Sequence, residues 1–153
     1  MTISGKFLIT ASGGAGNAIS IWDLSTLALM KQFSPPRGSP SIYSTVVSGK
    51  YIYSATYANT IDIWDIETGQ SVDKLIGHSA AVYSLCLLSE FRLVSCSYDG
   101  TIRIWDLRTN RCIQNLIRHK NSLECVAAHP DGLQFFSAAS DGTISAYGPI
   151  PEM

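Results

Sequence analysis

A chain of 153 residues, 46% hydrophobic and 15% charged, is long enough to bury a core and too apolar to stay disordered. With 11 basic and 12 acidic residues the formal net charge is −1, which gives nucleic acid no basic stripe to bind. No apolar run approaches the length of about 18 residues that a bilayer-spanning helix needs, and Lys6 with the short Phe7-Leu8-Ile9 patch is too weak for a signal peptide.

The first element reads FLITAS, residues 7–12, an apolar run of strand length. Next comes Gly13-Gly14-Ala15-Gly16-Asn17, then AISIWDL, residues 18–24, which alternates as a half-buried strand does. A glycine-rich loop that cradles phosphate leads into a helix, whose N-terminus supplies the field for the anion. This loop leads into a strand, and no Gly-Lys-Ser/Thr follows. It is therefore read as a hairpin between two strands, about two residues longer than its counterparts further on.

The same sentence is written again downstream. YIYSAT (51–56) precedes TIDIWDI (60–66), RLVSCS (92–97) precedes TIRIWDL (101–107), and FFSAAS (135–140) precedes TISAYGP (143–149). Trp22, Trp64 and Trp105 stand 42 and 41 residues apart, and a further 42 residues lead to Tyr147. Turn formers separate each pair of strands: Asn59, Asp99-Gly100 and Asp141-Gly142, all types that tolerate the positive φ of a tight hairpin. Such a period marks stacked supersecondary units.

The cysteines are Cys86, Cys96, Cys112 and Cys125. None forms a Cys-x-x-Cys pair, and no Cys/His spacing suits zinc, so they read as buried thiols of a reducing compartment. That places the chain in the cytoplasm, with the nucleus as the alternative. No cofactor is expected.

A period near 40 residues ending in Trp-Asp, with Gly77-His78 ahead of the best copy, resembles the WD repeat of β-propellers. Arg118-His119 opens the last copy, whereas the second Trp-Asp copy lacks the histidine and has Ala58 where aspartate would stand. The run from Tyr53 to Ser89, followed by LIRHKNSLECVAA, is more narrowly similar to the final blades of TRAF-type RING ubiquitin ligases. The resemblance implies an all-β fold: a β-propeller segment of about three and a half four-stranded antiparallel WD-repeat blades. The blade parts are 5–34, 40–76, 78–117 and 119–148, with a tail over 149–153. Family topology places about fourteen strands, starting near Lys6, so the first blade would lack its innermost strand and the last its outermost. Propellers close with four to eight blades, so the chain reads as the C-terminal part of a larger propeller whose open edges invite self-association.

The resemblance also assigns residues. His78, Ser95, Asp99 and Trp105 would form one hydrogen-bonded set, and His119, Ser137, Asp141 and Tyr147 a second. A Ser-His-Asp set invites a hydrolase reading. Its recurrence in successive copies and the missing Gly-x-Ser-x-Gly elbow favour a structural role. His129, in a Pro-Asp-Gly turn, reads as a solvated loop residue. At the narrow face, family positions map onto Ser41, Tyr43, Tyr57, Ala81, Tyr83, Tyr98, Ser122, Glu124 and Ser140. Four of the seven tyrosines fall there, and tyrosine suits protein contacts. Three functions remain open: a non-catalytic module recruiting protein substrates or signalling kinases, a structural arc held by strand addition, and a propeller enzyme.

Overall fold

The computed structural model describes residues 1–12, 18–33 and 40–149, and among them it contains strands and turns but no helix. The first sheet holds β1 (Thr2–Ser4), β2 (Phe7–Ala11), β3 (Ile19–Asp23) and β4 (Leu29–Phe33). The second holds β5 (Ile42–Ser48), β6 (Tyr51–Thr56), β7 (Thr60–Asp65) and β8 (Ser71–Ile76). The third holds β9 (Val82–Ser89), β10 (Arg92–Ser97), β11 (Thr101–Asp106) and β12 (Arg111–Ile117). The fourth has three strands, β13 (Leu123–Ala128), β14 (Phe135–Ala139) and β15 (Ile144–Tyr147). Each sheet is an antiparallel meander in which every strand pairs with its sequence neighbours.

Two differences from the sequence reading concern the first blade. A short strand, β1, pairs with β2 in the register Thr2↔Ile9, Ile3↔Leu8, Ser4↔Phe7, so the innermost strand is present and the described strands number fifteen. Three residues carry too little period-2 pattern to announce a strand, and Ile3 is largely exposed. The glycine-rich stretch 13–17 lies outside the described residues. On either side of it, β2 and β3 pair in register and Ser12 N–H donates to the Ala18 carbonyl at 3.0 Å.

Burial explains why these strands read as they do. The sheets stack face to face in chain order, so the inner sheets are covered on both sides and β6 and β7 are buried at five of six positions each. One core lies between the first and second sheets, with Ile9, Ile19, Phe33, Ile52 and Trp64. A second joins Tyr53, Ile61, Ile63 and Leu75 to Leu85, Leu93 and Trp105, and a third joins Val94, Ile102 and Ile104 to Leu123, Phe135 and Tyr147. Trp64, Trp105 and Tyr147, each near the end of a third strand, thus pack back on the preceding sheet. Covering a sheet on two faces yields long apolar runs instead of strict alternation.

Adjacent inner strands are also latched by polar contacts. Leu85 N–H donates to Ser44 Oγ at 3.2 Å, and one sheet later Val126 N–H donates to Ser84 Oγ at 3.3 Å. The hairpins behave as their residues require: Asn59, Gly100 and Gly142 have φ of 67°, 76° and 82°. All four cysteines are free thiols, but only Cys96 is buried. Cys86 and Cys112 are half-buried and Cys125 is exposed, which corrects the expectation of buried thiols. Cys125 lies on β13, a strand whose apolar partners Leu123 and Val126 face the third sheet. Burial raises the thiol of Cys86 to about 12, so it is inert as a nucleophile.

Candidate functional site

The polar sets inside the sheets come first, because they decide whether any of this is catalytic. In the third sheet Trp105 Nε1–H donates to Ser95 Oγ at 2.8 Å. Ser95 Oγ also meets His78 Nε2 at 2.8 Å, and His78 Nδ1 meets Asp99 Oδ2 at 2.9 Å. An indole only donates, so the Ser95 proton goes to Nε2 and Nδ1–H donates to the carboxylate. Asp99 further accepts from Ser79 N–H and from Thr101 N–H and Oγ–H. Burial pushes the Asp99 carboxyl upward, but the bonds from His78, Thr101 and Ser79 outweigh it and hold it far below the usual carboxylate range.

The fourth sheet departs from this pattern. His119 Nε2 meets Ser137 Oγ at 2.7 Å, and Ser137 meets the Tyr147 hydroxyl at 3.1 Å. His119 Nδ1, however, contacts Thr143 Oγ1 at 3.0 Å, and Thr143 donates to Asp141 at 2.6 Å. Asp141 therefore reaches the imidazole through Thr143, where Asp99 in the third sheet bonds it directly. The carboxylate is instead drawn to Asn121 Nδ2 at 3.0 Å, a donor the third sheet lacks because Ala80 stands there. Tyr147 stacks on Phe135 with centroids 4.4 Å apart.

Among the described residues the first two sheets show only the tryptophan end of this chain of bonds. Trp22 donates to Thr10 at 3.0 Å and Trp64 to Ser54 at 2.9 Å. Thr10, Ser54, Ser95 and Ser137 thus occupy one structural position. The hydroxyl of Ser95 is fully buried and already holds an indole and an imidazole, so it has no access to a substrate. Sequence reasoning missed Thr101 and Thr143, although each stands two residues after its hairpin aspartate, Thr101 opening β11 and Thr143 just ahead of β15. It also missed the aspartates that follow each tryptophan. Asp23, Asp65 and Asp106 turn back to accept from the backbone of Ser25, Glu67 and Arg108 at 2.8–2.9 Å, closing the next hairpin. The Arg108 side chain and the turn lower Asp106 to about 2. His129 is exposed and pairs with Asp131 at 3.0 Å.

The predicted face assembles around a recurring backbone irregularity. In β5, β9 and β13 the register slips by one residue near the strand start. The extra residues are Tyr43, Tyr83 and Glu124. A β-bulge re-aims the unpaired residue's side chain. Beside each bulge a backbone bond of 2.9 Å joins the other two predicted positions: Tyr57 N–H to Ser41 O, Tyr98 N–H to Ala81 O, and Ser140 N–H to Ser122 O. Tyr57 and Tyr98 are 64% and 60% exposed, large values for aromatic rings. Tyr43 and Tyr83 lie 4.9 Å apart, and Tyr83 and Tyr98 meet edge to face at 6.1 Å. Ser41 is half-buried, Ser122 donates to Ser140 Oγ at 2.9 Å, and Glu124 is exposed. Ala81 is only 8% exposed, yet it lines the same groove as Tyr57, Tyr83 and Tyr98. Among the described residues no group of three or more His, Cys, Asp or Glu side chains is placed to hold a metal.

Stacked four-stranded meanders with a tryptophan-to-hydroxyl bond in each Trp-bearing sheet define a β-propeller segment. The family profile described as WD domain, G-beta repeat, matches residues 69–106 and 110–147, and the chain belongs to the WD-repeat β-propellers. It is 30% identical over 141 residues to an uncharacterized WD repeat-containing protein of Schizosaccharomyces pombe, covering 87% of this chain and 38% of that protein. It is 26% identical over 77 residues to myosin heavy chain kinase C of Dictyostelium discoideum, covering 50% of this chain and 10% of the kinase. The chain thus spans well under half the length of either relative. Among solved structures it superposes on U3-55K with a TM-score of 0.80 at 22% identity, over 94% of this chain and 45% of that one. On the computationally designed Ika4 protein the TM-score is 0.74 at 26% identity, over 95% and 87% of the two chains. WD-repeat proteins generally act as protein-interaction scaffolds and are generally non-catalytic.

Proposed function

We propose that this segment presents its bulge-borne tyrosines as a protein-docking face, within a non-catalytic scaffold that recruits substrates or signalling partners. One observation carries the reading: three consecutive inner strands spend a bulge at the same position, and two of those bulges carry tyrosines that stack with a third. The ligase-like blades noted in the sequence support recruitment of ubiquitination substrates, and the kinase relative supports a kinase signalling complex as the setting. The cytoplasm or nucleus is the proposed compartment. Tyr83→Ala and Tyr98→Ala are each expected to weaken partner binding by about 2 kcal/mol or more. Quantitative mass spectrometry of proteins captured by the chain, with and without the substitutions, checks this. Unchanged capture by both variants places the docking surface elsewhere.

The second reading, a structural arc held by strand addition, is favoured by a separate observation. Along β15 the residues Ile144 and Ala146 are exposed, and β15 has no strand on its outer side among the described residues. Such an edge templates pairing with another strand. The 153-residue chain by itself is expected to sediment as oligomers or to precipitate, and a monodisperse monomer in analytical ultracentrifugation overturns that reading.

A further inference from the structure

The tyrosine face has a groove of about 680 Å³ between the second and third sheets, lined by Tyr57, Asn59, Ser79, Tyr83 and Tyr98 among others. Its lining contains no lysine or arginine. Tyr83 forms the middle of a row of three rings, with Tyr43 on one side and Tyr98 on the other. The next inner strand carries Glu124 at the bulge position that Tyr43 and Tyr83 fill in theirs. β9 and β13 are neighbours, latched through Ser84 and Val126, so this carboxylate stands at the end of the tyrosine row. Glu124 is exposed and makes no salt bridge among the described residues. Burial first, and then the charge of its neighbours including Glu124, raises the Tyr83 phenol, as expected of a ring in the field of that carboxylate.

Aromatic faces carry negative electrostatic potential, and a carboxylate beside them adds to it. An acidic ligand meets repulsion on this surface. A neutral apolar ligand gains ring contact but leaves the carboxylate without a partner. A cationic side chain gains both, because its stem packs on the rings and its head reaches the carboxylate. We propose that the groove takes the cationic side chain of an arginine- or lysine-bearing extended peptide, with Tyr83 and Tyr98 of its lining as the π surface and, beside Tyr83 but outside that lining, Tyr43 extending the row of rings and Glu124 supplying the counter-charge. The proposal rests on the docking-face reading above and goes beyond it by fixing the charge of the ligand.

The test titrates the full chain with acetyl-arginine amide and with its uncharged isostere acetyl-citrulline amide, following tyrosine ring signals by NMR. Acetyl-arginine amide is expected to shift the Tyr83 and Tyr98 ring signals saturably, with an apparent affinity about fivefold or more above that of the citrulline probe. Glu124→Gln, a change at an exposed position, is expected to shrink the arginine preference by about twofold or more, leaving the share that the rings supply. Parity in the wild-type chain overturns the proposal, as does a preference for arginine undiminished by Glu124→Gln, or the absence of saturable shifts with the arginine probe. Each of these removes the charge preference alone. The docking-face reading is judged separately, by the capture measured with the tyrosine-to-alanine variants.

Discussion

Trp105→Ala is expected to unfold at far lower urea than the parent chain, with a loss of about 3–5 kcal/mol. The indole is 1% exposed and fills the core between the second and third sheets, so its removal leaves a cavity that the flanking strands cannot collapse into without breaking register. It also strips Ser95 of the donor at 2.8 Å. Trp105→Phe separates these effects. Phenylalanine restores much of the volume but not the N–H, and a loss of about 1–2 kcal/mol is the expected share of the orphaned hydroxyl. Trp22 makes the same bond to Thr10 at 3.0 Å but is only half-buried, so Trp22→Ala is expected to cost less than Trp105→Ala. Urea midpoints from far-ultraviolet circular dichroism rank the three variants. Equal losses for Trp22→Ala and Trp105→Ala contradict the burial argument, and a Phe variant indistinguishable from the parent shows the N–H···O bond to be energetically idle. Against a total stability of about 5–15 kcal/mol, the Ala loss is a large fraction of what holds the chain folded.

The chain wrote its strands plainly where burial was strongest. β7 and β11 were legible because both of their faces are covered and because Trp64 and Trp105 repeat the same phase. β1 was invisible because three residues with an exposed Ile3 carry no periodicity, and its pairing is dictated by β2 across the sheet. The hydrogen-bonded set of the third sheet followed from residue types at repeat positions. In the fourth sheet the same four positions are joined as well, but through Thr143, which links His119 to Asp141 and which no repeat position announced, while Asn121, standing where the third sheet has alanine, adds a donor to Asp141. A repeat predicts which residues share a position, and the neighbouring side chain decides which of them touch.

The tyrosine face shows the same division. Tyr43, Tyr57, Tyr83 and Tyr98 were placed by repeat position, but the bulge that lifts two of them is a backbone event with no marker in residue type. Val-Tyr-Ser reads as ordinary alternation, and the slip of register appears only once β10 is laid against β9.

Asp99 offers the clearest pH signature. Its Oδ1 accepts from Thr101 N–H and Oγ–H at 2.9 and 2.7 Å, and its Oδ2 accepts from His78 Nδ1–H and Ser79 N–H, both at 2.9 Å. Four donors converge on two oxygens, so in Asp99→Asn the amide must face two donors whichever way it is turned. A loss of about 2–3 kcal/mol near neutral pH is expected. Because the folded-state pKa of Asp99 is depressed, the carboxylate's contribution is complete above its unfolded value, about 4, and disappears as pH falls toward the folded value. The parent chain should therefore lose stability below about pH 4 more steeply than the Asn variant, and the gap between their urea midpoints should narrow as acid is added. Asp23, Asp65, Asp106, Asp131 and Asp141 are also held below the ordinary range, but they titrate in both proteins and cancel in the difference. Asp141→Asn should lose less than Asp99→Asn, since Asp141 is exposed and meets His119 only through Thr143. A gap that stays constant down to about pH 2.5 means that Asp99 titrates alike in the folded and unfolded chains. Its convergent donors would then add nothing, and the buried chain of bonds from Trp105 would have to end at His78.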